Sequence, residues 1–235
     1  MLPVAILCGG LGTRMRPLTE TVPKAMLPVN GEPFVAHLLR LLASRGVERV
    51  VLCISHLGEM IEAFVGDGAA YGLAAAYSDD GPVRVGTAGA IKRALPLLGE
   101  RFLLTYGDSY LPADYAAIER RFIESGAEAL MTVWRNRDEL APSNVAMRDG
   151  AIAAYRKNAH DPAFEYIDYG IGGFTHAAFD GVPADVPSDL ATVVERTIRD
   201  GTIVAYEVNE RFYEIGSPEG LRETERLLLE GTPLR

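Results

Sequence analysis

The chain has 235 residues, of which 48% are hydrophobic and 23% charged, and it carries a formal net charge of −9. This composition is typical of a folded globular protein. The 32 acidic residues outnumber the 23 basic ones, which argues against a protein that binds nucleic acid by neutralising many phosphates. The sequence has neither an apolar run of about 18 residues nor a secretory signal pattern, so we expect a cytoplasmic protein without membrane association.

The first half of the chain alternates apolar runs with segments of helical periodicity. Continuous apolar runs are typical of strands that are buried on both faces, and apolar residues at helical spacing predict helices between them. The predicted strands cover residues 3–8, 50–54, 73–77 and 102–106, and the predicted helices cover residues 33–45, 56–65 and 88–98. This alternation predicts an α/β fold with a mostly parallel sheet and helices on both faces.

The second half, from about residue 128, contains shorter strands and less helix. Strands are predicted at residues 129–133, 145–147, 152–154, 171–174 and 203–207, and helices at residues 190–199 and 218–229. Such short strands indicate mixed sheet geometry. We find no internal repeat, low-complexity tract or long linker, so we expect a single domain over residues 1–235.

The loop after the first strand combines glycines with positive charge. Gly9, Gly10 and Gly12 allow the backbone to approach a ligand closely and to point several N–H groups at it. Arg14, Arg16 and Lys24 add cations to the same region. Positive charge beside a glycine loop, in an acidic protein, indicates a site for a small polyanion.

Two common phosphate-binding loops do not fit this segment. A Walker A loop requires a Gly-Lys pair, and the chain contains none. A dinucleotide-binding fingerprint starting at Gly10 requires glycine or alanine where Met15 stands. Pro17 would also disrupt the long helix that this fingerprint opens.

The segment Gly9-Gly-Leu-Gly-Thr-Arg-Met-Arg-Pro-Leu-Thr19, followed by Pro23-Lys-Ala-Met-Leu-Pro-Val29, resembles the signature of the sugar-phosphate nucleotidylyltransferases, the NDP-sugar pyrophosphorylases. The resemblance implies a Rossmann-like three-layer α/β/α nucleotidyltransferase fold, with a mixed, mostly parallel central sheet. It places nucleotide binding in about residues 1–127 and sugar-phosphate binding in about residues 128–235. The hexapeptide-repeat tail of some members is absent from the sequence, so acyl transfer is not expected.

The implied reaction transfers a nucleoside monophosphate from an NTP to a sugar 1-phosphate and releases pyrophosphate. By resemblance, Arg14 neutralises the β- and γ-phosphates, Lys24 holds the α-phosphate, and Asp108 completes the catalytic set. The family's L-G-T-[AG]-G segment corresponds to residues 85–89 here. The implied nucleotide-binding residues are Leu7, Gly9, Gly10, Gly12, Thr13, Arg14, Gly86, Thr87 and Gly89.

Two carboxylates are implied as ligands of Mg²⁺. Asp108 follows a predicted buried strand, at the edge where α/β sheets bind their ligands, and Mg²⁺ takes one or two carboxylates together with phosphate oxygens and water. The late family motif D-[IV]-G-[TS]-P-E places the second acid at Glu214. The aspartate of the motif is a glutamate here, which moves the carboxylate outward by one methylene.

The acceptor side matches the family less closely. Lys157 corresponds to the lysine that grips the sugar phosphate, but Arg156 replaces the acid that usually precedes it. Asp168 and Gly170 lie in a segment that resembles the sugar-pocket motif N-x-G-[IV], and Asn144 is a further candidate for that pocket.

The sequence leaves several nucleotides and acceptors as candidate substrates. Short heptose 1-phosphate guanylyltransferases resemble the chain most closely in appearance, with N-acetylmuramate 1-phosphate uridylyltransferases near them, so GTP is favoured over UTP or CTP. A phosphocholine cytidylyltransferase is an alternative, with an aromatic pocket built from Tyr106, Tyr110, Tyr166 and Tyr169. A catalytically silent nucleotide- or sugar-binding regulator is another. The family resemblance is also compatible with a homodimer.

Overall fold

Nine strands form the central sheet of the computed structural model, which describes residues 1–81, 83–136, 140–157, 163–183 and 186–230. Four two-residue strands form two small ribbons outside this sheet. In chain order the strands are β1 (Val4–Leu7), β2 (Pro28–Val29), β3 (Glu32–Pro33), β4 (Arg49–Ile54), β5 (Ala74–Asp79), β6 (Arg101–Tyr106), β7 (Ser109–Tyr110), β8 (Ala129–Arg135), β9 (Val145–Arg148), β10 (Ala151–Tyr155), β11 (Tyr166–Thr175), β12 (Ile203–Val208) and β13 (Tyr213–Glu214).

Six α-helices accompany the strands in the described part of the chain. They are α1 (Phe34–Ser44), α2 (Gly58–Val65), α3 (Gly86–Ala94), α4 (Tyr115–Ser125), α5 (Leu190–Arg199) and α6 (Pro218–Glu230). Short 3₁₀ turns occupy Thr13–Met15, Leu18–Glu20, Lys24–Met26, Ala69–Tyr71, Leu95–Leu97 and His176–Phe179.

The sheet is mixed and mostly parallel, as the sequence predicts. Its strand order is β5-β4-β1-β6-β11-β8-β12, and the first part of β11 also pairs with the β9–β10 hairpin. Strands β5, β4, β1 and β6 run parallel to one another, as do β8 and β12. Strand β11 runs against its neighbours β6 and β8. Consequently the carboxyl ends of β5, β4, β1 and β6 lie at one edge of the sheet.

Helices cover both faces of the sheet because its strands are apolar on both faces. Val4 and Ile6 of β1 belong to the core cluster that includes α1, α2 and α4, whereas Ala5, between them, belongs to the cluster with α3 and α5. All three side chains are fully buried. This alternation follows from the two-residue period of a strand, and it gives the three-layer arrangement that the family resemblance implies.

The structure adds one helix to the predicted elements and changes the bounds of two others. Helix α4 was not predicted, although Asp114 caps its first turn through a hydrogen bond from the Ala117 N–H at 2.9 Å. The helix predicted over residues 88–98 ends as an α-helix at Ala94, because Pro96 supplies no N–H to continue it. Strand β11 is ten residues long, whereas only residues 171–174 were predicted. No helix among the described residues is long and apolar enough to cross a membrane.

Candidate active site

The glycine loop lies at the carboxyl edge of the parallel strands, directly after β1. Gly12 has a φ of +57°, and its carbonyl accepts a hydrogen bond from the Thr19 hydroxyl at 2.8 Å. A Cβ on Gly9 would lie 3.0 Å from the Ser55 Cβ, in the loop after β4. Glycine is needed at these positions because the loop turns back tightly over the strand ends.

A first cavity of about 280 Å³ opens beside this loop. Seven of the residues predicted for the nucleotide, for catalysis or for the metal line it, together with Tyr106, which the sequence analysis names for an aromatic pocket, and with other residues. The predicted members are Leu7, Gly9, Gly10, Lys24, Gly86, Thr87 and Asp108, and the additional charged or aromatic members are Asp80, Arg84 and Tyr106. We call this cavity the glycine-loop cavity.

Lys24 and Asp108 form an ion pair at the wall of the glycine-loop cavity. Their side chains are only 12% and 28% exposed, so the pair is partly shielded from water. Gly107 places Asp108 there: its N–H donates to the Leu7 carbonyl at 2.9 Å, and a Cβ would lie 2.6 Å from the Cys8 Sγ. The structure thus brings together two residues 84 positions apart.

A second cavity, of about 400 Å³, adjoins the first. The two share Thr87, Tyr106 and Asp108 as lining residues. The second cavity contains Arg14 and all four residues predicted for the acceptor. Its polar and aromatic lining residues are Arg14, Thr87, Tyr106, Asp108, Ser109, Asn144, Tyr155, Lys157, Asp168, Tyr169, Asp189, Phe212 and Glu214. We call it the acceptor-side cavity.

Lys157 is held by an aspartate that the sequence analysis missed. Its Nζ lies 2.5 Å from Asp189 Oδ2, while Asp189 Oδ1 accepts the Ala191 N–H at 3.0 Å and caps α5. The Thr87 hydroxyl accepts the Leu190 N–H at 2.8 Å. Burial raises the pKa of Asp189, but the hydrogen bonds from Lys157 and Ala191 outweigh it and lower the pKa overall. An aspartate before an apolar helical stripe is the cap signal that would have identified it.

Asp168 lies at an irregularity of β11, where the pairing with β8 shifts register between Asp168 and Gly172. Its N–H donates to Asn144 Oδ1 at 2.8 Å, and its Oδ1 accepts the Gly170 N–H at 3.0 Å. Burial raises the pKa of this carboxyl to about 6, and the Gly170 hydrogen bond opposes that rise. Such irregularities commonly redirect side chains beside active sites.

A small ribbon brings the backbones of the two predicted metal ligands, Asp108 and Glu214, close together. Glu214 of β13 pairs with Ser109 of β7, and the Ile215 N–H donates to the Asp108 carbonyl at 2.9 Å. Arg14 is close as well: a Cβ on Gly216 would lie 2.9 Å from Glu214 Oε2 and 3.1 Å from an Arg14 guanidinium nitrogen. The described residues hold no cluster of three or more metal-binding side chains. Two carboxylates still suit Mg²⁺, which completes its shell with phosphate oxygens and water.

Some predicted residues lie outside the two cavities. Gly12, Thr13 and Gly89 line neither of them. Gly89 is buried in α3, where a Cβ would lie 2.7 Å from the Val85 Cβ, so its small size serves helix packing. Of the four tyrosines proposed for a choline pocket, Tyr106 and Tyr169 line the acceptor-side cavity, and Tyr110 and Tyr166 do not.

The chain is similar in sequence to known proteins. The family model for nucleotidyl transferases matches residues 4–171. The chain is 31% identical over 228 residues to the N-acetylmuramate alpha-1-phosphate uridylyltransferase of Neisseria meningitidis, covering 94% of this chain and 96% of the relative. It is also 31% identical over 220 residues to the mannose-1-phosphate guanylyltransferase of Mycobacterium tuberculosis, covering 91% of this chain and 61% of that relative.

Solved structures show the same fold. A Bacillus anthracis structure in complex with a sucrose has a TM-score of 0.88 at 18% identity, covering 100% of this chain and 98% of the other. The inositol-1-phosphate CTP transferase of T. maritima has a TM-score of 0.79 at 24% identity, covering 98% and 96%.

Proposed function

The chain belongs to the nucleotidyl transferase family, as a sugar-1-phosphate nucleotidyltransferase, and we propose that it joins GTP to a sugar 1-phosphate and releases pyrophosphate. The observation that carries this proposal is the junction of the two cavities. A glycine-loop cavity suited to a nucleotide shares Thr87, Tyr106 and Asp108 with a second cavity that contains Lys157. A donor and an acceptor bound in adjoining cavities are positioned for direct transfer.

The proposed chemistry is a single displacement at the α-phosphorus. An oxygen of the sugar phosphate forms a bond to the α-phosphorus, and the bond from that phosphorus to the bridging oxygen of the β-phosphate breaks. Pyrophosphate leaves with the electron pair. The attacking oxygen is already anionic at neutral pH, so no general base is needed, and catalysis consists of alignment and charge neutralisation.

The cations of the site have separate roles in this proposal. Lys24 holds the α-phosphate, and Arg14 neutralises the β- and γ-phosphates as they leave. Lys157 holds the incoming sugar phosphate in the acceptor-side cavity. Each lysine is paired with a carboxylate, Asp108 or Asp189, so phosphate binding exchanges one anionic partner for another.

We propose Asp108 and Glu214 as the residues that hold Mg²⁺. Their support is the ribbon of β7 and β13, which brings both carboxylates to the acceptor-side cavity. A bound Mg²⁺ supplies positive charge to phosphate oxygens as negative charge develops on the leaving group.

The proposal also specifies the base of the nucleotide. The resemblance to short guanylyltransferases favours GTP. UTP is the second candidate, since the uridylyltransferase of Neisseria meningitidis matches the chain over nearly its whole length.

The test is pyrophosphate release, measured with each of the common NTPs against a panel of sugar 1-phosphates and phosphocholine, with Mg²⁺ and with a chelator. We expect release that requires an NTP, a sugar 1-phosphate and the divalent ion together. Release from phosphocholine alone among the acceptors would reassign the substrate, and no release with any pair would indicate a catalytically silent binding protein.

A further inference from the structure

Asp80 is a buried carboxylate in the glycine-loop cavity to which the proposed reaction gives no role. It follows the carboxyl end of β5 and is only 6% exposed. Its Oδ2 lies 3.6 Å from the position that a Cβ of Gly9 would take. The carboxylate therefore lies against the glycine loop, on the wall where a nucleotide would bind.

Hydrogen bonds to β4 and α3 hold the backbone of Asp80 in place. Its N–H donates to the Ile54 carbonyl of β4 at 3.0 Å, and its carbonyl accepts a hydrogen bond from the Arg93 side chain of α3. Burial raises the pKa of the carboxyl, the charge of Arg93 lowers it, and that of Asp79 raises it. Because Asp80 lines the cavity, a ligand bound there can donate hydrogen bonds to its carboxylate oxygens, which only accept when ionised.

Guanine is the base that matches such a carboxylate. Its N1–H and its 2-amino group are adjacent donors on one edge, which can reach the two oxygens of one carboxylate. Uracil and thymine offer a single N–H between two carbonyl oxygens. In cytosine and adenine the amino group is beside a ring nitrogen that accepts. With each of these bases, the second carboxylate oxygen would face an acceptor.

We propose that Asp80 selects GTP by accepting hydrogen bonds from N1–H and the 2-amino group of guanine. This inference rests on the proposed function, since it names the donor of the same reaction. It assigns Asp80 to base recognition and leaves phosphate binding to Arg14 and Lys24.

The neighbouring Asp79 provides a matched control. It is exposed, lines neither cavity, and accepts the Gly81 N–H at 2.8 Å through its Oδ1. Asp79→Asn keeps that acceptor and removes the same charge one residue away. Asp80→Asn keeps the shape of the buried side chain but replaces one acceptor with a donor.

The experiment measures kcat/KM for GTP, ITP and UTP with one accepted sugar 1-phosphate, for the wild type, Asp80→Asn and Asp79→Asn. ITP lacks the 2-amino group of GTP. We expect the wild type to prefer GTP over ITP by about 10- to 100-fold, the range for a hydrogen bond to a charged group. Asp80→Asn should lower kcat/KM for GTP by roughly 100-fold with little change for UTP, and Asp79→Asn should match the wild type.

Three results would overturn the inference: equal wild-type rates with GTP and ITP, equal losses for GTP and UTP in Asp80→Asn, or the same loss in Asp79→Asn. Equal losses would indicate a contact to the ribose or a structural role. Calorimetric binding of the three nucleotides, measured without acceptor, separates the two proposals. If the wild type binds GTP over ITP and UTP but forms no NDP-sugar with any acceptor, the proposed reaction fails and base selection stands. Thermal unfolding checks that Asp80→Asn folds.

Discussion

Single residues in the site are arranged so that each lysine has an anionic partner before any substrate binds. Lys24 pairs with Asp108, and Lys157 pairs with Asp189. The first pair is partly buried, whereas the side chains of the second are 56% and 45% exposed, where an ion pair contributes little to stability. We interpret both pairs as holding the lysine side chains in place for phosphate groups.

Arg14 provides the first prediction at this scale. Arg14→Ala should lower kcat by about 100- to 1,000-fold, the usual loss for a group that stabilises charge in the transition state. Arg16→Ala is the matched control, because Arg16 is exposed two positions away and lines neither cavity. Steady-state rates of pyrophosphate release measure both variants. Near-normal turnover in Arg14→Ala, or equal losses in the two, would contradict the role given to Arg14.

Asp168 provides a second prediction, on stability. Burial raises its pKa from 3.8 to about 6, so the folded state binds this proton more tightly than the unfolded state. The resulting stabilisation is complete below pH 3.8 and is lost as the pH rises through 6. The difference corresponds to about 3 kcal/mol. Asp168→Asn should therefore gain stability relative to the wild type between pH 4 and 7.

Urea unfolding at several pH values measures this change. We expect the free energy of unfolding of Asp168→Asn, relative to that of the wild type, to increase with pH. A difference that stays constant from pH 4 to 7 would contradict the role given to Asp168. At neutral pH the ionised Asp168 carboxylate is thus expected to destabilise the wild type. Such a cost in stability is common for residues that serve binding.

Motif spacing located Lys24, Asp108 and Lys157, but not the further carboxylates Asp80 and Asp189. Lys24 and Asp108 could be predicted because each lies in a recognisable segment, and the structure brings them together. Asp80 could not, since its place depends on which strand ends become neighbours in the fold. The cap signal before α5 could have located Asp189, but not its pairing with Lys157, which depends on the fold. Nothing in the local sequence distinguishes buried Asp80 from exposed Asp79.

At the scale of elements, the first turn of α3 links the two cavities. The Ala88 N–H donates to the Ser188 carbonyl at 2.9 Å, and the Ser188 N–H donates to the Val85 carbonyl at 2.8 Å. Ser188 directly precedes Asp189, the partner of Lys157. The start of α3, beside the glycine-loop cavity, is therefore connected by hydrogen bonds to the segment that holds Lys157 in the acceptor-side cavity.

Gly86→Ala tests this link. Gly86 has a φ of +75°, and a Cβ there would lie 2.4 Å from the Ser188 carbonyl oxygen. Gly126→Ala is the control, because Gly126 has a φ of +66° with nothing within 4 Å of its Cβ position. The control should lose about 1–2 kcal/mol of stability from backbone strain alone. Gly86→Ala should lose more and should raise KM for the sugar 1-phosphate.

Chemical denaturation and steady-state kinetics measure the pair of variants. Equal stability losses, with unchanged KM in Gly86→Ala, would show that the contact with Ser188 does not position the acceptor side.

Elements with strong periodicity were predictable, and those defined by long-range pairing were not. The buried strands β1, β4 and β6 are continuous apolar runs, so their positions follow from composition. The first half of β11, with Asp168 and Gly170, lacks such a run. Its strand conformation comes from pairing with β8 and β9.

For the whole molecule, the topology places both cavities at one edge of the sheet. Strands β1, β5 and β6 end at the glycine-loop cavity, while β11 and the start of α5 bound the acceptor-side cavity. The parallel arrangement was predictable from the strand–helix alternation. The reversal of β11, which brings Asp168 beside Tyr106, was not.

The most direct test of the central claim follows the oxygens of the acceptor phosphate. The sugar 1-phosphate is labelled with ¹⁸O at its three non-bridging oxygens and incubated with GTP and Mg²⁺. The masses of the NDP-sugar and of pyrophosphate are then measured by mass spectrometry. Direct attack on the α-phosphorus predicts that all three labels appear in the NDP-sugar and none in pyrophosphate. Loss of a label to pyrophosphate or water, or pyrophosphate formed without an NDP-sugar, would contradict the account.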